Sequence, residues 1–340
     1  MSGIKELELW QFIAARLQRP ESVILLVVAE SSGSSPGRQG YKMAVGESGE
    51  LIGSIGGGVM EVNLVEESRA LLDAVTQRRG NRETSILREQ VHRDNSPNAS
   101  GMICSGKQTV IFKLVTPEDS GAVQSIIGAI SNDRQDWMTI TSVEITVGPP
   151  KGGTQNSGTQ NSRTQNTRFT FEKTSDTDFR YSEILGFQHH LYIIGGGHCA
   201  LALSELMSKM DFYICLFDDR PDLNTIDKNT FAHDIKIVDS YERISDHIPS
   251  GPSAFVVVMT LGYKTDEVVI RRLIDKDFKY FGVLGSKAKM SAMFKNLRND
   301  GIPDASLNRI RTPAGLPINS RTPEEIAVSI AAEIISVKNG

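Results

Sequence analysis

A chain of 340 residues, with 39% hydrophobic and 23% charged residues, has the composition of a globular protein with room for about two domains. Its formal net charge of −4 gives no support for nucleic-acid binding as a main role, since that role calls for an excess of lysine and arginine. No apolar run is long enough for a membrane span, the N-terminal segment does not resemble a secretion signal, and 3 cysteines do not make a disulfide framework. We therefore expect a protein of the reducing cytoplasm.

The first half of the chain mixes helical and strand-like patterns. The spacing of apolar residues predicts a helix over Ile4–Leu17, and the unbroken apolar run Val23–Ala29 predicts a buried strand. Two further strands, Tyr41–Val45 and Leu51–Ile55, flank a glycine-bounded turn and predict a hairpin. A helix, a strand and another helix are then predicted at Glu61–Val75, Gln108–Val115 and Pro117–Ser131. This mixture indicates an α+β domain.

Two glycine-rich segments follow strands in this half. The first combines hydroxyl side chains such as Ser34 with Arg38, which could clamp a phosphate or carboxylate through two parallel hydrogen bonds. The second places Gly56, Gly57 and Gly58 before a predicted helix, where their N–H groups would form a nest for an anion. A flexible surface loop and close packing of strand on helix are the alternatives. The two segments together favour a polar, anionic ligand.

The cysteines fall into two groups. Cys104 lies in the glycine-flanked turn Gly101–Gly106, where a thiol could be reached by solvent and act as a thiolate, although it could equally fill a small apolar gap. Cys199 and Cys215 lie in the second half, at positions where small apolar residues fit, and are expected to pack. No spacing typical of a zinc site is present.

A tandem repeat interrupts the first half. The residues Gly153–Ser157 recur as Gly158–Ser162 and decay into Arg163–Thr167. Because the repeat has no apolar residue to bury, we predict a solvated, mobile insertion over residues 150–167.

The strand-like segment Arg168–Glu172 is expected to pair with Asp136–Val147 across that insertion. This pairing would end an N-terminal α+β domain at residue 175 and leave an interdomain linker near Ser175–Gln188. A C-terminal domain would then run over residues 189–340.

The C-terminal half opens with a strand–turn–helix pattern. The apolar run that ends at Ile194 enters a Gly-x-Gly-x-x-Ala turn, in which Gly195 permits the tight bend and Gly197 the close approach of a pyrophosphate. His198, just after the glycines, could contact a phosphate at the helix N-terminus. Asp218 ends the next strand, where its carboxylate would accept hydrogen bonds from a ribose and favour NAD over NADP by repelling a 2′-phosphate.

Strands and helices alternate to the end of the chain. The predicted strands are Ile235–Val238, Ala254–Thr260 and Tyr280–Leu284. The predicted helices are Asp266–Lys276, Lys287–Arg298 and Pro323–Val337. The last helix has Thr322 as its N-cap and Pro323 at its first position. The pattern predicts an α/β domain, a Rossmann-like parallel sheet with helices on both faces.

Four ordered blocks together resemble the XdhC/CoxI family, the accessory factors of xanthine dehydrogenase and related molybdenum hydroxylases. The resemblance covers nearly the whole chain apart from the repeat. The blocks are Gly33–Lys42, Gly53–Glu61, Leu191–Arg220 and a tail of Tyr280–Lys287, Thr312–Ile318 and Arg321–Ile330.

The resemblance implies a protein that is not itself a catalyst and in most members is a dimer. Such a protein binds molybdenum cofactor (molybdopterin), protects it while its terminal sulfur is installed, and hands it to an apo-hydroxylase. A cysteine desulfurase is a further implied partner. The phosphate of this cofactor would suit a nest of glycine N–H groups, and its metal would accept a thiolate ligand. The cofactor contacts that we predict are Ser34, Arg38, Gly56, Gly57, Gly58, Cys104, Gly195, Gly197, His198 and Asp218, with Cys104 as the metal ligand.

Two departures from the family pattern stand out. Val59 occupies the position of a cysteine in many members, and Met259–Asp266 lacks a histidine that many members carry there. The alternative functions are an NAD(P)-dependent oxidoreductase that uses the Rossmann-like site and a scaffold that only binds the hydroxylase. The scaffold would leave the glycine-rich segments unexplained.

Overall fold

The computed structural model describes residues 3–77, 85–91, 106–149, 168–175 and 177–340. It divides into two compact units, Gly3–Gly186 and Phe187–Gly340. Cys104 and the predicted mobile insertion over residues 150–167 lie outside the described residues. Within the described ranges, no helix is both long and apolar enough to cross a membrane.

The N-terminal unit combines helices with two antiparallel sheets. Its elements are α1 (Gly3–Leu17), β1 (Val23–Gly33), β2 (Lys42–Gly46), β3 (Leu51–Gly53), α2 (Gly58–Gln77), β4 (Ser85–Val91), β5 (Gly106–Val115), α3 (Ser120–Ser131), β6 (Trp137–Thr141), β7 (Ile145–Gly148), β8 (Phe169–Ser175) and β9 (Asp178–Ile184). The strand orders are β3-β2-β1-β5-β4 and β7-β6-β9-β8.

Strand β1 forms the centre of the larger sheet and is buried on both faces. Leu25 and Val27 pack in the core formed with α1, α3 and the smaller sheet. Ile24, Leu26 and Val28 point to the other face, where α2 covers them. Burial on both faces explains why this strand is an unbroken apolar run rather than an alternating one.

The predicted pairing across the insertion is wrong. Strand β8 pairs with β9, whereas β6 pairs with β7 on one side and, across the insertion, with β9 on the other. The short turn between β8 and β9 closes a small loop, so their pairing costs little chain entropy, and β9 takes the place beside β6 that was predicted for Arg168–Glu172. The predicted linker near Ser175–Gln188 therefore contains a strand, whose Phe179 and Tyr181 point into the core.

The C-terminal unit is a parallel sheet with helices on both faces, as predicted. Its elements are β10 (His189–Ile194), α4 (His198–Ser208), β11 (Phe212–Asp218), α5 (Asn224–Asp227), β12 (Asp234–Ile237), β13 (Gly251–Val258), α6 (Tyr263–Leu273), β14 (Phe278–Val283), α7 (Lys287–Asn299), α8 (Asp304–Leu307) and α9 (Pro323–Asn339). The strand order is β12-β11-β10-β13-β14. Helices α4 and α9 cover one face, and α6 and α7 cover the other. Thr322 caps α9 as expected.

A buried ionic cluster joins α1, β2 and β9 of the N-terminal unit. The Nζ atom of Lys42, which is 1% exposed, lies 2.7 Å from Oε1 of Glu6 and 2.6 Å from Oε1 of Glu183. Tyr181 donates a hydrogen bond to the other oxygen of Glu183, and Arg168 lies 3.8 Å from Glu6. We call these five residues the Lys42 cluster.

Charge pairing outweighs burial at Glu6. Burial alone would raise the pKa of the Glu6 carboxyl, but the charges of Lys42 and Arg168 and hydrogen bonds within the cluster lower it to about 2. Burial also tends to lower the pKa of Lys42, yet its two carboxylate partners raise it above its ordinary value. Both groups therefore stay ionised at neutral pH.

Replacing Lys42 by methionine should lower the free energy of unfolding by about 3–5 kcal/mol, because it removes the cation that Glu6 and Glu183 both contact directly and leaves only the more distant Arg168. The matched control is Lys107→Met, which removes a solvent-exposed ion pair with Glu89 and should cost less than about 1 kcal/mol. Denaturant unfolding of both variants measures the difference. Equal effects of the two substitutions would contradict a structural role for the Lys42 cluster.

The depressed pKa of Glu6 also predicts acid sensitivity. A carboxyl whose pKa falls on folding stabilises the protein above its unfolded pKa and loses that contribution as the pH drops toward the folded value. For Glu6 this window runs from pH 4.5 down to about 2. Glu6→Gln should therefore show a shallower loss of unfolding free energy across this window than the unsubstituted protein. Parallel pH profiles would contradict the assignment.

Candidate functional site

The glycine turn after β10 leaves the start of α4 open. Gly195 has a φ of 110°, and a Cβ there would lie 2.3 Å from the carbonyl oxygen of Met259, so the turn packs tightly against the end of β13. Gly197 is the N-cap of α4 and supplies no side-chain acceptor. A Cβ at Gly197 would meet nothing within 4 Å, and His198 is exposed. The first N–H groups of α4 are therefore placed to receive an anion.

Asp218 does not have the predicted free carboxylate. Its side chain is 0% exposed and accepts hydrogen bonds from the N–H of Gly196 at 2.5 Å and from Nε and Nη2 of Arg220 at 2.9 and 2.8 Å. Burial alone would raise the pKa of Asp218, but these hydrogen bonds outweigh it and lower the pKa. Asp218 thus fixes the glycine turn, and the arginine two residues later was the signal that sequence reasoning missed.

A cavity of about 370 Å³ lies beyond the carboxyl ends of β11 and β13. This edge of a parallel sheet is where ligands bind in open α/β folds. We call the cavity the Tyr241 pocket, and its lining residues are Asp219, Arg220, Tyr241, Thr260, Leu261, Gly262 and Thr265. None of the seven was among the predicted contacts.

Tyr241 is the most deeply placed polar group of this pocket. The residue is 3% exposed, and among the described residues its hydroxyl makes no hydrogen bond of full geometry, although the N–H of Asp219 lies near enough to act on its pKa. Burial and the carboxylates of Asp218 and Asp219 raise the pKa of Tyr241, and they outweigh the opposing effects of the nearby Asp219 N–H and Arg220 guanidinium. The hydroxyl therefore stays protonated and can donate a hydrogen bond.

The opposite wall of the Tyr241 pocket is held by a second buried carboxylate. Asp266 is buried and accepts from the N–H of Thr260 at 3.1 Å and from its hydroxyl at 2.5 Å. Lys289 donates to the other oxygen of Asp266 at 2.7 Å. Helix α6 begins here with Gly262 as its N-cap and no side-chain cap, so its N–H groups face the pocket region.

The predicted anion nest of the N-terminal unit is partly occupied by acceptors of the protein itself. The carboxylate of Glu61 accepts hydrogen bonds from the hydroxyl of Ser54 at 2.7 Å and from the N–H groups of Ile55 and Gly57 at 2.9 Å each. Gly56, Gly57 and Gly58 have the positive φ values that such a turn needs. Of the three glycine donors predicted for a cofactor, Gly57 thus donates to Glu61 and Gly56 donates to the hydroxyl of Ser54 at 3.2 Å.

The other glycine-rich segment lies directly against this nest. A Cβ at Gly37 would lie 2.1 Å from the carbonyl oxygen of Ile55, so the two segments pack backbone against backbone. Ser35 is buried and donates to Gln108 at 2.9 Å, which anchors the loop to β5. Ser34 and Arg38 are exposed. The structure therefore places the segment of Ser34 and Arg38 against that of Gly56, Gly57 and Gly58, while Cys104 lies outside the described residues.

The described residues supply no metal site. No group of three or more His, Cys, Asp or Glu side chains within the described ranges could hold a metal ion. Val59 is 60% exposed at the start of α2 and offers no ligand atom. Cys215 is buried as predicted, whereas Cys199 is only partly buried. Burial and the charge of Glu324 raise the pKa of the Cys199 thiol.

If Asp218 holds the glycine turn, Asp218→Asn should lower the free energy of unfolding by about 1–3 kcal/mol, because Arg220 and the Gly196 N–H lose a charged acceptor. The matched control is Asp222→Asn at an exposed position nearby, expected within about 0.5 kcal/mol of the unsubstituted protein. Urea unfolding monitors both. If the Asp218 variant is as stable as the unsubstituted protein, Asp218 does not hold the glycine turn, and the predicted role as a ligand contact is favoured instead.

Comparison with known proteins adds family information to this geometry. Residues 16–82 match the XdhC and CoxI family, and residues 191–334 match the XdhC Rossmann domain. A relative from Bacillus subtilis (strain 168), which bears the name of a probable xanthine dehydrogenase subunit, is 23% identical over 331 residues. The match covers 95% of this chain and 96% of that protein.

Two further relatives bear on length and fold. The uncharacterized protein YqeB of Escherichia coli (strain K12) is also 23% identical over 331 residues, but the match covers 96% of this chain and only 46% of YqeB. The chain therefore spans about half the length of that relative. The fold is also similar to a crystal structure of a xanthine dehydrogenase from Bacillus halodurans, with a TM-score of 0.70 and 21% identity. The match covers 100% of this chain and 96% of that chain. This similarity concerns the fold.

Proposed function

The chain belongs to the XdhC and CoxI family, and on that premise we propose that it is an accessory protein of a molybdenum hydroxylase of the xanthine dehydrogenase type. In this role it binds molybdenum cofactor and delivers it to the hydroxylase. The observation that carries the proposal is that both family segments occur in one chain, one in each compact unit. The name of the Bacillus subtilis relative supports a partner of this type.

The described residues fit one end of the cofactor better than the other. Molybdopterin carries a phosphate, and the open N-terminus of α4 at Gly197 and His198 offers N–H donors for such a group. The metal end finds no ligand group within the described ranges. We therefore propose that the protein holds the cofactor by its phosphate or nucleotide end.

Nucleotide binding by the C-terminal unit is part of the proposal. The sequence favoured NAD over NADP because of Asp218, but that carboxylate is bound within the protein. Any preference between the two dinucleotides must then come from other groups at the carboxyl edge of the sheet. A homodimer, a cysteine desulfurase as second partner and a cytoplasmic location complete the proposed role.

Protein purified from a molybdenum-replete host should carry molybdenum together with pterin fluorescence, and its co-expression should raise the molybdenum content and activity of a xanthine dehydrogenase-type hydroxylase. Metal analysis, fluorescence and hydroxylase assays measure these outcomes. Bound NAD(P) without molybdenum or pterin, and no effect on the hydroxylase, would support the oxidoreductase instead.

The same preparation tests the predicted thiol ligand. Cys104 lies outside the described residues and remains the proposed metal ligand, so Cys104→Ser should lose much of the bound molybdenum. Cys199→Ser and Cys215→Ser are the matched controls and should retain it. Normal molybdenum retention by the Cys104 variant would leave cofactor binding without a protein thiol.

A further inference from the structure

The Tyr241 pocket is lined by a tyrosine whose buried hydroxyl makes no hydrogen bond of full geometry within the described residues. A buried hydroxyl without a hydrogen-bond partner is unfavourable, because folding removes it from water without replacing the lost hydrogen bonds. Tyr241 is only 3% exposed and lines the cavity, and apart from the nearby N–H of Asp219, which does not reach full hydrogen-bond geometry, its hydroxyl has no partner among the described residues. A ligand in the cavity would supply the missing partner.

We propose that the Tyr241 pocket binds the sugar of a nucleotide, and that Tyr241 and Asp219, rather than Asp218, make the hydrogen bonds to its hydroxyl groups. The inference rests on the nucleotide-binding part of the proposed function and assigns the residues that carry it. It moves the sugar contact away from the position that the glycine-turn pattern predicts.

The hydrogen bonds of the neighbouring residues explain this shift. Asp218 is buried, and its oxygens already accept from Gly196 and Arg220. Asp219 follows it directly and is partly exposed on the pocket wall, with Nε of Arg220 at 3.8 Å. A carboxylate in this position can accept from a sugar hydroxyl, while the neutral phenol of Tyr241 can donate to or accept from another.

The rest of the pocket matches the other parts of a nucleotide. Leu261 is 81% exposed on the rim, where it offers an apolar surface for a flat base. The glycine turn lies beside the pocket, because Gly195 packs against Met259 and Thr260 and Gly196 is tied to Asp218. A sugar in the pocket would thus place its phosphates toward the uncapped start of α4.

The size of the cavity fits this assignment. A volume of about 370 Å³ falls within the range of small-molecule sites and is large enough for a nucleoside. Its walls are held by buried carboxylates, Asp218 with Arg220 on one side and Asp266 with Lys289 and Thr260 on the other. The pocket is therefore preformed, so a ligand need not order it on binding.

The test uses ADP, 2′-deoxy-ADP and 3′-deoxy-ADP as probes in calorimetric titrations of the full chain. ADP should bind the unsubstituted protein about tenfold more tightly than at least one of the two deoxy probes, because that probe lacks a hydrogen-bonded hydroxyl. Tyr241→Phe or Asp219→Asn should weaken ADP binding by a similar factor and abolish the difference between ADP and that deoxy probe.

Thermal unfolding separates a binding role from a structural one. Tyr241→Phe removes a hydroxyl that has no partner among the described residues, so the midpoint of unfolding should not fall. The matched control is Tyr280→Phe on β14, whose buried hydroxyl donates to Glu333 at 2.7 Å. That variant should unfold at a lower temperature yet bind ADP as the unsubstituted protein does.

Three outcomes would overturn the inference. The first is that ADP fails to bind the folded protein at millimolar concentration, and the second is that all three probes bind equally. The third is that both Tyr241→Phe and Asp219→Asn leave ADP affinity unchanged; if Tyr241→Phe does not fold, the partly exposed Asp219→Asn variant decides. Molybdenum retention and hydroxylase activation are measured independently, so an accessory role that survives these results would fail only in its nucleotide contact.

Discussion

Backbone N–H groups in glycine-rich turns need acceptors, and this chain supplies them from its own carboxylates in both units. Glu61 satisfies the donors of Ile55 and Gly57, and Asp218 satisfies that of Gly196. A buried backbone N–H without an acceptor raises the free energy of the folded state. Each internal carboxylate therefore stabilises a turn whose N–H groups would otherwise need a ligand as their acceptor. These bonds also decide which donors stay open to a ligand.

Open donors beside the glycine turn and the Tyr241 pocket lie at the starts of α4 and α6, where no N-cap side chain accepts a hydrogen bond. There the side chains that hold the walls are buried, while Asp219 and Tyr241 line the cavity between them. The carboxylates of Asp218 and Asp266 form hydrogen bonds within the protein that hold the walls, so Asp219 and Tyr241 are the groups available to bind a ligand. In the N-terminal unit the segment of the exposed Ser34 and Arg38 adjoins a nest in which Glu61 already accepts from Ile55 and Gly57.

The N-terminal unit depends on a different use of charge. The Lys42 cluster places an ammonium between two carboxylates where α1, β2 and β9 meet. The free-energy cost of removing these ions from water is offset because each has more than one polar partner in the cluster. Substituting any one of them therefore removes a partner from another buried charge. The gain is one of specificity, since a misaligned β9 would leave Glu183 unpaired in the core.

Local pattern was sufficient for most of the fold. Apolar periodicity located α1, β1 and the alternating elements of the C-terminal unit, and the Thr322 cap was evident from residue type alone. The family assignment likewise followed from ordered motifs. Local pattern failed for the smaller sheet, because the alternating pattern of a strand does not specify its partner. Strand β9 lies between β6 and β8, and pairs with one across the insertion and with the other across a short turn.

The site shows the same boundary between sequence and structure. Residue order alone predicted that a glycine turn, the start of α4 and the acid that ends β11 would meet at the carboxyl edge of a parallel sheet. It could not tell whether Asp218 or Glu61 would face a ligand or the backbone, because a carboxylate pairs with whichever donor lies within about 3 Å. Only the tertiary structure brought Arg220 onto Asp218, Glu61 into its nest and Tyr241 to a cavity without a partner among the described residues. Hydrogen-bond partners are set by distances in the folded chain, and residue order does not fix those distances.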